Sequence, residues 1–186
     1  MKTLVVNLFA GPGAGKTTCA WEIASELKKR GIVTEYVPEY AKELVWDENY
    51  EALADQESIF KEQAHRINRL VGKVDVIVTD SPVLFSEIYG QNNSDEFKER
   101  IWNEYNNHDN FNLFINRGKK FEKEGRIHNL DESIEIDNQI KSMLEENSVY
   151  FGDYYHKTVP VIVDNIITTL NRIQAQEIED DEEMEL

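Results

Sequence analysis

A glycine-rich segment near the N-terminus, A-G-P-G-A-G-K-T at residues 10–17, is the feature that most constrains the fold of this chain. It follows a short apolar run, residues 3–9, which the pattern predicts to be a buried strand. After it, apolar residues recur at helical spacing as far as Gly31, which predicts a helix and its end. A strand, a glycine loop and a helix N-terminus bring backbone N–H groups and the helix dipole to one point. We therefore expect this loop to bind phosphate groups.

The chemistry of the loop predicts ATP and Mg²⁺ as cofactors. Lys16 is expected to reach the β- and γ-phosphates, and the Thr17 hydroxyl to ligate Mg²⁺. The alternative is a tight turn before a core helix, which the flanking strand and helix disfavour. The residues predicted to bind the nucleotide are Gly11, Pro12, Gly13, Ala14, Gly15, Lys16, Thr17 and Thr18.

Apolar runs and helical stretches alternate along the rest of the chain. The predicted strands are residues 3–9, 32–37, 74–79, 111–115 and 159–163. After the first helix, the predicted helices are residues 41–46, 50–71, 83–89, 94–106, 129–147 and 166–175. Asn129 and Glu132 would form a capping box at the start of one of them. This alternation predicts an α/β, three-layer fold with a mainly parallel five-stranded sheet, forming one domain over residues 1–176.

The charge of the chain is strongly acidic, with a formal net charge of −16 over 186 residues. Seven acidic residues and no basic one fall in 177–186, which leaves −9 for residues 1–176. Such a run is typical of a solvated, disordered tail, and the alternative is a contact with a basic partner. The net negative charge of residues 1–176 also argues against a large nucleic-acid interface, because phosphate contacts require clustered Lys and Arg.

Targeting signals and cysteine content predict a cytoplasmic protein. We find no signal peptide and no apolar run of membrane-spanning length, so no membrane contact is expected. The one cysteine, Cys19, falls inside the first helix, where we expect a small core residue in a reducing compartment. The sequence leaves a homodimer open.

Two carboxylates follow predicted strands directly, at the edge where parallel sheets bind ligands. Asp80 follows residues 74–79, where it would lie near the Mg²⁺ or the acceptor; the alternative is a turn residue. Glu39 follows residues 32–37 and could take the proton of an acceptor hydroxyl; the alternative is a glutamate that favours the first turn of a helix. Which of the two is the base stays open.

A local reversal of charge marks residues 116–128, which we interpret as a short basic lid. Phosphoryl transfer develops negative charge, and an arginine carried by a mobile segment stabilises it. We assign this role to Arg117 and Arg126, and we expect ordinary surface positions for Lys119, Lys120 and Lys123. Weaker candidates for binding the acceptor are Tyr40, Gln63 and Arg66. The alternative for Tyr40 is a core aromatic residue, and for Gln63 and Arg66 it is an exposed helix position.

Together these segments resemble the P-loop kinases that include nucleoside and nucleoside-monophosphate kinases. The resemblance covers residues 1 to about 175 and is strongest to small ATPase/kinase domains related to ribosylnicotinamide kinase, including phage-encoded ones. It rests on residues 10–18, on E-Y-A-K-E at 39–43, on T-D-S-P at 79–82 and on residues 117–126. Lys42 departs from the pattern, because an arginine is usual there. The resemblance implies ATP with Mg²⁺ as donor and a small hydroxyl or phosphate acceptor.

The function predicted from these observations is an ATP-dependent phosphotransferase acting on a nucleoside, a riboside or a nucleoside monophosphate. One alternative is a kinase of nucleic acid, acting at a 5′ end or a modified base. The other is an ATP-dependent switch or interaction module that uses the acidic tail as a partner contact and has no small-molecule acceptor.

Overall fold

A computed structural model describes residues 2–90, 93–118, 127–155 and 158–184, and in these residues a five-stranded sheet lies between helices. All neighbouring strands are parallel, in the order β2-β3-β1-β4-β5. The predicted three-layer α/β fold of P-loop NTPases is confirmed. The strands are β1 (Leu4–Phe9), β2 (Thr34–Val37), β3 (Val76–Thr79), β4 (Asp109–Ile115) and β5 (Gly152–Tyr154). The helices are α1 (Lys16–Lys29), α2 (Tyr40–Trp46), α3 (Tyr50–Ala54), α4 (Gln56–Asn68), α5 (Phe85–Tyr89), α6 (Asp95–Asn106), α7 (Leu130–Glu146) and α8 (Val159–Met184).

The core has two halves because the sheet is covered on both faces. β1 lies in the middle and is buried at every position, as expected for a strand of a parallel sheet. Its alternate residues Val6 and Leu8 join one apolar cluster with α1 and α8. Val5 and Phe9 join the other cluster, which α4 to α7 complete. Cys19 is fully buried in the first cluster, as predicted, and burial raises the pKa of its thiol to about 12.

The predicted fifth strand is wrong, because residues 159–163 form the first turns of α8. Pro160 is compatible with a helix there, since the first turn leaves N–H groups unbonded in any case. The buried residues of α8 then recur at helical spacing and pack in the same cluster as α1: Ile162, Val163, Ile166, Leu170 and Ile173. The strand that pairs with β4 is instead Gly152–Tyr154, a three-residue segment with little apolar character.

Two helices also differ from the sequence prediction. The long helix predicted at residues 50–71 is divided at Asp55, whose carboxylate accepts from the N–H of Ser58 at 3.1 Å and so begins α4. The tail predicted to be disordered is helical as far as Met184, as part of α8. Glutamate is a good helix former, and neither glycine nor proline interrupts residues 161–184.

The capping box of Asn129 and Glu132 is present as predicted, at the start of α7.

The carboxyl ends of the central strands gather the predicted site residues at one edge of the sheet. β1 leads into the glycine loop, β2 ends just before Glu39, and β3 ends just before Asp80. β4 ends just before Arg117. Because these strands are parallel, the four segments lie side by side. Among the described residues, no helix combines the length and the apolar character needed to cross a bilayer.

Candidate active site

The loop between β1 and α1 has the backbone geometry of an anion site. Gly13 and Gly15 have φ angles of 74° and 99°, a left-handed conformation that glycine adopts without strain. Gly15 is the N-cap of α1, so the loop ends at a helix N-terminus, where N–H groups lack intrahelical partners. These features agree with phosphate binding by the loop.

Lys16 is nearly buried and lies across the loop that contains it. Its Nζ donates to the carbonyl oxygens of Ala10 at 2.8 Å and Gly11 at 3.2 Å. The same ammonium lies 5.3 Å from the ring centroid of Phe85. The charge of Lys16 is therefore held at the centre of the loop by backbone dipoles and an aromatic face.

The Thr17 hydroxyl donates a hydrogen bond of 2.6 Å to Oδ2 of Asp80. Asp80 is 1% exposed, and its other oxygen, Oδ1, is buried and accepts no hydrogen bond from the described residues. An unsatisfied buried carboxylate oxygen is costly unless a cation or donor reaches it. Mg²⁺ is bound in many nucleotide sites by one or two protein oxygens together with phosphate oxygens, and this pair fits that donor set.

Tyr36, on β2, is a neighbour of this pair that the sequence analysis did not identify. Burial, and then the negative charge of Asp80, raise the pKa of its hydroxyl. The phenol is consequently neutral at physiological pH. It adds a proton-bearing group to the surroundings of a buried carboxylate.

Glu39 is the N-cap residue of α2 and lines the same cavity as Lys16 and Thr17. The backbone on both sides of Glu39 is held by Gln63, which is 3% exposed. The Gln63 side chain accepts from the N–H of Tyr40 at 3.1 Å and donates to the carbonyl of Pro38 at 3.3 Å. Gln63 also lines the cavity, so its predicted contact with an acceptor stays a prediction.

Tyr40 and Arg66 contact each other and do not line the cavity. The guanidinium of Arg66 lies 4.8 Å from the centroid of the Tyr40 ring. It binds both oxygens of Glu43, at 2.7 and 2.9 Å, and one oxygen of Glu62 at 2.8 Å. This arginine lowers the pKa of Glu43. The predicted acceptor-binding role of the two residues therefore has no support from their positions.

Arg117 lies against the glycine loop rather than over the cavity. Its guanidinium donates to the carbonyls of Pro12 at 2.9 Å and Ser133 at 2.8 Å, and its Nε pairs with Asp137. Arg117 does not line the cavity, so its position gives no support to the predicted role in stabilising the charge of phosphoryl transfer, which stays a prediction. The second predicted lid arginine, Arg126, lies outside the described residues, as do Lys119, Lys120 and Lys123.

A cavity of about 900 Å³ extends from the glycine loop to α6. Its far wall contains aromatic side chains, and the ring centroids of Tyr89 and His128 lie 6.0 Å apart in it. Burial raises the pKa of Tyr89, with a smaller contribution from the charge of Glu39. The residues that contribute aromatic or charged side chains to the lining are Lys16, Glu39, Lys42, Tyr50, Asp55, Glu57, Phe85, Tyr89, Phe97 and His128.

A second depression, of about 1030 Å³, lies between α6, β4, β5 and α8. Among the predicted site residues that the structure describes, none lines it. Its polar lining residues include Asn110 and Asn112, whose side chains are already hydrogen-bonded within the protein. Their amide oxygens accept from the Asn7 side chain, and their amide nitrogens donate to the carbonyl and the hydroxyl of Tyr105. The cavity at the glycine loop is therefore the candidate active site.

A family model described as an AAA domain matches residues 5–158. The chain belongs to this family. No significant match was found among curated proteins.

Solved structures similar to this AAA domain include kinases. Deoxyadenosine kinase from M. mycoides, with the products dCMP and a flexible dCDP bound, has a TM-score of 0.58 and 18% identity; the match covers 90% of this chain and 99% of that one. Thymidylate kinase from Ehrlichia chaffeensis has a TM-score of 0.57 and 12% identity, covering 92% and 100%. Kti12 from Chaetomium thermophilum, in complex with ADP-AlF3, has a TM-score of 0.53 and 13% identity, covering 89% and 98%. The likeness is one of fold, and it confirms the predicted resemblance to P-loop kinases.

The AAA domain also contains site residues that the sequence analysis missed, Ser133 and Asp137. Both are buried polar residues on the inward face of α7, among Ile136 and Ile140. A serine and an aspartate four residues apart on an otherwise apolar stripe are a detectable signal, because buried polar groups require partners. Those partners are residues of the glycine loop.

Proposed function

We propose that this AAA domain is an ATP-dependent phosphotransferase whose acceptor is a small hydroxyl compound, a nucleoside or riboside. The observation that carries the proposal is the single cavity that begins at Lys16 and Thr17, passes Glu39 and continues to an aromatic wall. A nucleotide-binding loop that opens into a second compartment suits a reaction with two substrates.

The donor half of the site consists of the glycine loop, Lys16, Thr17 and Asp80. The loop would hold the phosphates of ATP, with the Lys16 ammonium among them. Thr17 and Asp80 would hold Mg²⁺, which when bound neutralises charge on the phosphate oxygens. Arg126 remains our candidate for stabilising the transferring phosphoryl group.

The acceptor half supports an uncharged ring compound better than a phosphorylated one. Tyr50, Phe85, Tyr89 and Phe97 supply aromatic surface, against which a base can stack. Beyond the glycine loop, Lys42 is the one lysine or arginine among the described lining residues. Arg66, which could have bound an acceptor phosphate, is paired with Glu43 and Glu62. A nucleoside monophosphate is therefore the weaker proposal.

Glu39 is our candidate for orienting the acceptor hydroxyl. The hydroxyl oxygen forms a bond to the γ-phosphorus while the bond from that phosphorus to the β-phosphate oxygen breaks, and ADP leaves. The hydroxyl proton passes to the Glu39 carboxylate and then to solvent. The backbone contacts of Gln63 on each side of Glu39 limit its movement during this step.

The experiment is an ADP-release screen with nucleosides, ribosides, nucleoside monophosphates and short oligonucleotides as acceptors. We expect at least one nucleoside or riboside to raise ADP release above the basal rate. Glu39→Gln should lower that acceptor-dependent rate by about 10²- to 10⁴-fold while ATP binding is retained. Glu35→Gln is the matched control, since Glu35 lies on β2, just before Glu39 in the chain, pairs with Lys28 and does not line the cavity.

Other results would redirect the proposal. Stimulation by oligonucleotides alone, with steep salt dependence, would indicate a nucleic-acid kinase. A slow basal rate that no acceptor changes would contradict phosphoryl transfer to a small molecule and favour a nucleotide-dependent switch.

A further inference from the structure

Three side chains from outside the glycine loop hold its first residues. Oδ1 of Asp137 accepts a hydrogen bond of 2.6 Å from the N–H of Gly11. Arg117 donates to the carbonyl of Pro12 at 2.9 Å, and the Ser133 hydroxyl donates to the same carbonyl. We call Arg117, Ser133 and Asp137 the loop brace.

The members of the loop brace are also bonded to one another. The Nε of Arg117 donates to Oδ2 of Asp137, so each oxygen of this carboxylate has its own donor. A terminal nitrogen of Arg117 donates to the carbonyl and the hydroxyl of Ser133. Ser133 is fully buried, and Asp137 is 9% exposed. The side chains of this ion pair are 17% and 13% exposed, and loss of either partner would leave a largely buried charge unpaired.

Gly11 permits this close packing. A Cβ at this position would overlap the backbone carbonyl of Ser133 and lie 2.8 Å from a guanidinium nitrogen of Arg117. Relief of this overlap would require the backbone of α7 to move, which is more costly than a side-chain rotation. Gly11 thus serves the contact between the loop and α7, in addition to any role in the turn itself.

The loop brace determines the orientation of one peptide of the glycine loop, the one between Pro12 and Gly13. In a trans peptide the carbonyl oxygen and the following N–H point in opposite directions, because the six atoms are planar. Two donors on the Pro12 carbonyl therefore orient the N–H of Gly13 away from α7. Pro12 and Gly13 line the active-site cavity, whereas none of the three brace residues does.

We propose that Arg117, Ser133 and Asp137 are positioning residues of the nucleotide site, which preorganise the Pro12–Gly13 peptide to donate its N–H to a phosphate of ATP. The proposal rests on the nucleotide-binding part of the proposed function and is independent of the acceptor. A preorganised donor costs no rearrangement when the ligand binds, so the brace raises phosphate affinity without touching the ligand.

The test compares the ATP affinity of brace variants by isothermal titration calorimetry, together with KM values for ATP and for the acceptor. We expect Ser133→Ala and Asp137→Asn each to raise the Kd and the KM for ATP by about 10-fold, the effect of one hydrogen bond. The KM for the acceptor should stay within about 2-fold. Arg117→Lys keeps the positive charge and loses the planar guanidinium with its several donors. Its affinity for ATP should lie between those of the wild type and Arg117→Gln.

Controls separate this proposal from general destabilisation. Asp131→Asn, at an exposed position in the first turn of α7, and Arg69→Gln, at an exposed C-cap, should leave ATP affinity unchanged. Ser133→Ala is the smallest change, and Ser133→Thr keeps the hydroxyl should the alanine variant not fold. If the folded Ser133→Ala and Asp137→Asn variants bind ATP as tightly as the wild type, the proposed positioning role of the loop brace is contradicted. A wild-type protein that binds no ATP would instead contradict the proposed function.

Discussion

The hydroxyl of Thr17 and the Oδ2 atom of Asp80 are joined by a hydrogen bond of 2.6 Å, which connects the first turn of α1 to the end of β3. The Oδ1 atom of the same carboxylate is buried and unbonded among the described residues. This asymmetry is expected of a carboxylate that keeps one oxygen for a cation.

Thr17 variants test this arrangement, because serine keeps the hydroxyl and valine replaces it with a methyl group of similar size. We expect Thr17→Val to lower acceptor-dependent ADP release by about 100-fold or more, and to raise the Mg²⁺ concentration needed for half-maximal rate. Thr17→Ser should stay within about 10-fold of the wild type. Equal rates for the serine and valine variants, at all Mg²⁺ concentrations, would show that the hydroxyl has no part in the site.

Gln63 variants distinguish two roles for a residue that lines the cavity and also binds the backbone around Glu39. If Gln63 acts by holding Glu39, Gln63→Leu lowers kcat by a similar factor for every acceptor, which we expect to be about 10-fold. If it reads the acceptor base, the loss appears in KM and differs among acceptors. The measurement is the ratio of kcat and KM between wild type and variant for two accepted nucleosides. Gln139→Leu, at an exposed position on α7, is the control.

The glycine loop and the two strand-end carboxylates could be predicted because their signals are local. Residues 10–17 combine a fixed spacing with a strand before and a helix after, and Glu39 and Asp80 follow strands directly. Parallel topology then places all three at one edge without further information. The same reasoning failed for β5, since Gly152–Tyr154 is short and lacks β-branched residues, whereas the apolar run at 159–163 satisfies both the strand and the helix pattern.

Contacts between segments distant in the sequence could not be predicted in this way. Arg117 is correctly placed at the end of β4, but its partners Pro12 and Asp137 are 105 and 20 residues away. The sequence alone therefore favours a lid role for a basic residue in a charged segment, because it does not show that α7 packs against the glycine loop. Arg66 shows the same limit, because Glu43 reaches it only when α2 lies against α4.

The pair formed by Glu43 and Arg66 predicts a pH dependence of stability. Arg66 lowers the pKa of Glu43, so the pair stabilises the folded state above a pH of about 4.3, the ordinary value for a glutamate. That contribution is lost as the pH falls through the lowered pKa. Because the Glu43 side chain is 47% exposed, we expect less than about 1 kcal/mol. The measurement is urea unfolding of the wild type and Glu43→Gln at pH 7 and at pH 3. The variant should have a lower free energy of unfolding than the wild type at pH 7, and this difference should be smaller at pH 3. A difference that is constant with pH would contradict this assignment, and Glu51→Gln, at an exposed position on α3, is the control.

The acidic C-terminal segment separates the kinase proposal from an interaction module. Glu177 accepts a hydrogen bond of 2.9 Å from the backbone N–H of Lys2, and α8 continues beyond it to Met184. For a kinase, truncation after Glu177 should leave kcat and both KM values within about 2-fold, because none of the described residues beyond Glu177 lines the cavity. Truncation after Gln176, which also removes the bond to Lys2, should lower the free energy of unfolding slightly further, with turnover unchanged. Loss of acceptor-dependent turnover in the first truncation would contradict this prediction and assign the acidic segment a direct part in function.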